Sequence, residues 1–232
     1  VAHADIVVGL GFGDEAKGST VDALAARTRP DRVVRFNGGQ QAGHNVTVGQ
    51  VHHTFASFGS ATLLGVPTWV SGHCTIDPPA AHRELQALRR LGVDPQLFVT
   101  DDALVTTTWH VAANLARETA RGATPHGTTG RGFGETVDYS LTHPAWAPRV
   151  GDLDDLGVLT DKLTALAKHY AHQGLLTEQP PQRSQVLADE LATAAKNTLT
   201  VVSTERLLDE LARGHTLFEG AQGYWLDECF GF

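Results

Sequence analysis

The residues best suited to chemistry lie in one short stretch near the start of the chain, Gly9-Leu10-Gly11-Phe12-Gly13-Asp14-Glu15-Ala16-Lys17-Gly18-Ser19. Three alternating glycines let the backbone turn tightly and lie close to a ligand. A helix expected from about Ser19 would aim free N–H groups and a positive dipole back at that turn, which suits an anion. Lys17 adds a mobile positive charge, and Asp14 and Glu15 add carboxylates. Phosphates call for the lysine and the amides; magnesium, or a proton to be removed, calls for a carboxylate. Two familiar patterns fail here. A Walker loop needs Gly-Lys-Ser/Thr, and the order is Lys17-Gly18-Ser19. A dinucleotide fingerprint meets Asp14 counted from Gly9 and Ala16 counted from Gly11, so neither register completes it. The competing reading is an ordinary strand-to-helix turn with incidental charges.

Three more segments carry candidate chemistry. Asn37-Gly38-Gly39-Gln40-Gln41-Ala42-Gly43-His44-Asn45 is a second glycine-rich loop. His44 can donate a proton or hydrogen bond to a phosphate or a leaving oxygen. Gly127-Thr128-Thr129-Gly130-Arg131-Gly132 offers hydroxyls, accessible amides and a guanidinium to a phosphate. Glu219-Gly220-Ala221-Gln222-Gly223 shows no base or nucleophile pair, but the Gln222 amide can read the edge of a nucleobase. Of the twelve histidines, His52 and His53 are expected on opposite faces of a strand, which disfavours a joint metal site. No Cys or His spacing matches a zinc site, and no nucleophile elbow is present.

The elements that position these loops alternate. Ile6 to Leu10 reads as a buried strand and Arg32 to Phe36 as a second. Val46 to Phe55 reads as a hairpin turning at Gly49-Gln50. Thr68 to Ile76 is a strand, and Asp77-Pro78-Pro79 caps a helix reaching about Leu91. Leu97 to Thr107 holds strand material, and Trp109 to Arg121 is a helix. Loop follows over 122–134. A helical pattern runs from Asp152 to Asn197, broken near Gln179-Pro180-Pro181. Leu199 to Ser203 is a strand, Thr204 to Arg213 a helix capped by Ser203, and Thr216 to Phe218 the last strand. This predicts an α/β fold, a mostly parallel central sheet with flanking helices in the manner of P-loop NTPases. One nucleotide-binding domain over 1–232 with a helical insertion at about 152–197 is expected. The loops after Leu10, Phe36 and Phe218 should cluster at the carboxyl ends of strands, where such sheets bind ligands.

Composition narrows the function classes. A formal charge of −8 repels nucleic acid and anionic membranes. No apolar run is long enough to span a bilayer. Cys74 and Cys229 form no disulfide framework, which points to a reducing cytosol. The absence of methionine implies a processed, trimmed or tagged start, and the chain is expected to continue beyond Phe232.

Taken together the loops resemble the adenylosuccinate synthetase family. The resemblance rests on Gly13-Asp14-Glu15-Ala16-Lys17-Gly18, Gln41-Ala42-Gly43-His44, Gly127-Thr128-Thr129-Gly130-Arg131-Gly132, Arg149-Val150-Gly151-Asp152 and Glu219-Gly220-Ala221-Gln222-Gly223, in that order. It implies a ligase, acting as a homodimer, that joins L-aspartate to a purine nucleotide such as IMP with GTP or ATP and Mg²⁺. Asp14 would take the N1 proton of the 6-oxopurine and bind Mg²⁺, with the Gly43 carbonyl as a further metal ligand. His44 would assist phosphoryl transfer to O6, and Lys17 would act with it. Gly13, Glu15, Ala16, Gly18, Ser19, Gln41, Ala42, Gly43 and Asn45 would line the phosphates. Thr128, Thr129, Arg131 and Gln222 would contact the purine nucleotide. The alternatives are a non-catalytic nucleotide-binding fragment and an NTPase or kinase-like protein.

The departures from the family pattern are specific. Ala16 stands where glycine is usual, implying an ordinary backbone conformation or slightly more room. Gln41 stands where asparagine is usual. Residues 135–141 are acidic where the family has a basic segment, including an arginine lent to the partner subunit's nucleotide. The family's aspartate-binding and guanine-reading segments lie later than this chain reaches. Such differences are expected of a relative acting on another purine, such as a deoxyguanylate.

Overall fold

A computed structural model describes residues 2–231 apart from 125, 178, 180 and 228. The first half of the chain runs β1 (His3–Gly9), α1 (Lys17–Thr28), β2 (Arg32–Arg35), β3 (His44–Val48), β4 (Val51–Phe55), β5 (Thr68–Val70), β6 (Thr75–Ile76), α2 (Pro78–Arg90), β7 (Leu97–Thr100), β8 (Leu104–Val105) and α3 (Thr108–Ala120). The second half runs α4 (Phe133–Thr142), α5 (Leu156–His172), α6 (Pro181–Lys196), β9 (Thr200–Val202), α7 (Thr204–Leu211) and β10 (His215–Gly223). Six strands form the central sheet in the order β1-β10-β2-β5-β7-β9, and every neighbouring pair is parallel. The expected α/β class with a parallel sheet is therefore what the chain adopts.

Period-two alternation explains the layers. On β2, Val33 packs with Val7, Leu217 and the α1 residues Val21 and Ala25. Its neighbour Val34 points to the other face and packs with Trp69 and the α7 residue Leu207. Both valines are fully buried, each contributing about 1.5–3 kcal/mol relative to exposure. The largest core cluster joins Val70, Leu97 and Val99 of the sheet to Leu85 and Leu88 of α2, Leu159, Leu163 and Leu166 of α5 and Leu191 of α6. The helical pattern expected over 152–197 is thus two helices, and both contribute to that core. Part of the expected break at Gln179-Pro180-Pro181 lies outside the described residues.

Local signals held where side chains cap. Asp77 Oδ1 accepts from the Ala80 amide at 2.9 Å, and Ser203 Oγ accepts from the Arg206 amide at 3.2 Å. The hairpin closes at Val48↔Val51, around Gly49-Gln50 as expected.

Five expectations need correction. The apolar run Ile6 to Leu10 is not a buried strand: β1 is a sheet edge, with Ile6 64%, Val8 52% and Leu10 73% exposed. An apolar run reports a demand for cover, not its presence. Thr68 to Ile76 divides at a turn, Cys74 N–H donating to Ser71 O at 3.0 Å. The pieces β5 and β6 belong to different sheets, and Leu97 to Thr107 divides likewise. Residues 133–142 form a helix, α4, where no element was expected. Finally, Glu219 to Gly223 is not a loop but the second half of β10.

Candidate active site

The strands β1, β10 and β2 are adjacent and parallel, so the segments after Gly9 and Arg35 and the end of β10 meet at one sheet edge. Asn37 ties two of them, its Oδ1 accepting from the Ala221 amide at 2.8 Å. In the first loop the amides converge as the glycines suggest, and an internal anion takes them. Glu15 Oε1 accepts from Leu10 N at 3.1 Å and Gly11 N at 2.9 Å, and Oε2 from Gly13 N at 3.1 Å. Desolvation pushes the Glu15 carboxyl up, but those amides and Lys17 outweigh it, so it sits below its ordinary value. A Cβ on Gly9 would meet Glu15 Oε2 and come within 3.3 Å of Gly223 Cα, so a side chain there would push the Glu15 carboxylate aside.

Ala16 departs from expectation. Its φ of 57° and ψ of 29° are left-handed, at the N-cap of α1. The usual glycine of the family pattern suits this conformation, and a Cβ there costs about 1 kcal/mol. Lys17 is buried, and its Nζ donates to Gly13 O at 2.6 Å. Burial lowers its proton affinity, partly offset by the nearby Glu15, Glu219 and Asp14 carboxylates and reinforced by Arg35. Asp14 is exposed on the same turn.

Gly18 sets the start of α1 against the histidine loop: a Cβ there would meet His44 Cβ at 2.9 Å and Asn45 O at 3.0 Å. Ser19 Oγ donates to Asn45 O at 3.2 Å. His44 is buried, with Nδ1 on the carboxylate of Glu219 and Nε2 3.5 Å from Ala221 O. Both ring nitrogens face acceptors, so a ring that donates at both satisfies both. Glu219 is wholly buried and accepts from Ser60 N at 2.9 Å and from Ser60 Oγ. Burial opposes its charge, yet His44, Arg35 and Ser60 outweigh that penalty and hold the carboxyl below its ordinary range.

Glu219 and Arg35 are the residues sequence reasoning missed. The segment at Glu219 holds no base pair within itself, because the partner of Glu219 is 175 positions away. Alternation along β10 was the available signal, placing Glu219 on the face of Leu217, toward α1.

The Gln41 amide has both polar atoms buried without a partner. Ala42 N–H closes its turn onto Gly39 O at 3.2 Å, and Gly43 is exposed. Gln222 lines a cleft of about 220 Å³ together with Gly9, Leu10, Phe36, Asn37 and Tyr224. In the loop with Thr128, Thr129 and Arg131, all three residues are exposed. Glu118 accepts from Gly127 N at 2.7 Å and Asn114 Oδ1 from Gly132 N at 3.4 Å, so the loop rides on α3. The Arg131 charge is felt at Asp77, whose carbonyl accepts from Gln40 Nε2 at 3.4 Å. The Arg149 motif is used structurally: Gly151 N–H donates to Asp101 O at 2.8 Å, and Asp152 pairs with Lys162 at 2.7 Å.

For a magnesium ion, the donor chemistry fits. A carboxylate on Asp14 and a carbonyl on Gly43 are hard oxygens, and Mg²⁺ ordinarily takes one or two such protein ligands plus water and phosphate oxygens.

The model of the adenylosuccinate synthetase family matches residues 6–232. Among solved structures, fully ligated adenylosuccinate synthetase from Plasmodium falciparum superposes with a TM-score of 0.81 at 22% identity, covering 99% of this chain and 53% of that one. Cyanophage S-2L succinoaminodeoxyadenylate synthetase (PurZ), bound to dGMP and to dATP as an energy donor, superposes at 0.68 and 18% identity, covering 100% and 55%. The chain thus spans about half the length of these two proteins.

Proposed function

The chain belongs to the adenylosuccinate synthetase family, and from that premise we propose that it supplies the phosphoryl-transfer half of a purine-nucleotide:L-aspartate ligase. The observation that carries this reading is the buried His44–Glu219 pair set against the start of α1, beside Lys17. A 6-oxo group leaves poorly; once phosphorylated at O6, it departs as phosphate when the aspartate amine attacks. The first step needs a base for the N1 proton, compensation for charge on the transferring group, and a donor near O6. Asp14, exposed on its turn, is the base. Lys17 and the loop amides bind phosphate, which displaces the Glu15 carboxylate from the nest. His44, oriented by Glu219, donates a hydrogen bond through Nε2 toward the transferring oxygen. Asp14 and Gly43 would hold Mg²⁺, which neutralises phosphate charge when bound. Gln222 contacts the base in its cleft. Thr128, Thr129 and Arg131 close over the nucleotide phosphate, and the active form is a homodimer.

The test is phosphate release by the purified full-length protein with Mg²⁺, L-aspartate, GTP or ATP, and either IMP or dGMP. Aspartate-dependent release is expected; its absence with every combination rejects the ligase reading. A second reading, nucleotide binding without turnover, is favoured by the chain spanning about half of the two superposed proteins. Calorimetry that detects nucleotide binding where the phosphate assay is silent would select it.

A further inference from the structure

At the opposite end of the sheet from the glycine-rich loops, three metal-ligating side chains converge. His3 and Asp5 alternate onto one face of β1, and His215 is the register partner of His3 on β10. One Asp5 oxygen lies 3.7 Å from His3 Nε2, and the other lies 2.9 Å from His215 Nε2. The two imidazoles stack with centroids 4.5 Å apart and planes at 17°. One ligand atom from each of the three residues lies within 4.8 Å of the others, and this is the only such group among the described residues. We propose that His3, Asp5 and His215 form a site for a divalent zinc-type cation that clamps the beginning of β1 to the beginning of β10.

Two imidazole nitrogens and one carboxylate are a donor set that suits zinc, with water in the fourth position. The backbone is already braced for it. His3 N–H donates to Gly214 O at 2.9 Å, and His215 N–H donates to Asp31 Oδ2 at 2.7 Å. The His215 side chain is 15% exposed and so held, whereas that of His3 is 64% exposed and free to tilt off the stack onto the ion. Asp5 already faces both rings, so it brings the negative charge that a cation between them requires. No sequence spacing announces the site, because it exists only once the first and last strands lie side by side. The two strands it joins are those that end at the Asp14 loop and at Gln222, so the clamp acts on the scaffold of the active site from its far end.

The experiment is calorimetric and thermal titration of the chelator-treated chain with ZnCl₂ at pH 7.5, with MgCl₂ in parallel. About one zinc per chain is expected. Zinc at a hundredfold over its dissociation constant should raise Tm by roughly 5 °C, and MgCl₂ at the same concentration should leave Tm unchanged. His3→Ala, at an exposed position that leaves the core intact, should weaken zinc binding at least about tenfold, as should Asp5→Asn. Lowering the pH to 5 should abolish the shift, since the ligating imidazoles must be neutral. Wild-type zinc affinity in both variants, no zinc-dependent shift in the wild type, or an equal shift with magnesium would each overturn the proposal.

Discussion

At His44, ring orientation is set by a carboxylate 175 residues away. Glu219→Gln keeps the shape but removes the charge, and should cut kcat at least about tenfold with little change in KM. The same carboxyl makes stability acid-sensitive. Its folded value lies below 4.5, so the unfolded chain binds the proton first. Its contribution is full above about pH 4.5 and drains as the pH falls through the folded value. Acid unfolding should therefore be shallower below pH 4.5 in the Gln variant than in the wild type. Lys17→Ala and Asp14→Ala should each lower turnover at least roughly a hundredfold, with wild-type rates in either refuting its role. Ala16, left-handed at φ 57°, is tested by size: Ala16→Val should lower unfolding stability by about 1–2 kcal/mol, and Ala16→Gly should not. At this scale the sequence was readable wherever chemistry is local. The glycines, Lys17 and His44 announce themselves, whereas Glu219 and the backbone angle of Ala16 depend on contacts no short window contains.

Among the elements, α3 carries its own pH device. Thr107 caps the helix, and His110 Nδ1 accepts from the Thr107 amide at 3.0 Å. Burial pushes the His110 ring down to about 3 from 6.5, in keeping with its place between Tyr139 and Tyr170. The unfolded chain takes up this proton near pH 6.5 and the folded chain only near pH 3. Stability should therefore fall as pH drops through that window, by up to about 1.4 kcal/mol per pH unit. Gln at position 110 can complete the same cap without titrating. Denaturant melts of His110→Gln at pH 7 and pH 5 should differ less than those of the wild type. Helices with side-chain caps, α2 and α7, were legible to within a few residues. The helix α4 was not: Gly132 precedes it in a left-handed conformation with no side-chain cap, leaving only a short acidic stretch to read. Periodicity found strand material at Thr68 to Ile76 but could not show that a turn hands it from one sheet to another.

For the whole molecule, parallel order was foreseeable from the alternation of strand and helix, but strand neighbours were not. The strand β10, last among the described strands, inserts between β1 and β2, the first two. It holds β1 and β2 together and brings Glu219 to His44. A chain ending at residue 214 should lose cooperative thermal unfolding, because β1 would then lack its partner and His44 its carboxylate. Retained cooperativity in that truncation would show that β10 is dispensable. The insertion also has a consequence in time. During synthesis the segments bearing Asp14 and His44 emerge early, yet the space between β1 and β2 stays open until β10 has been made, with Glu219 lying 175 positions after His44. Closure of that gap is a long-range event, slow by the usual relation between sequence separation and rate. Until then nascent chains expose β1 on both sides, so dependence on chaperones during expression should be greatest just before β10 leaves the ribosome.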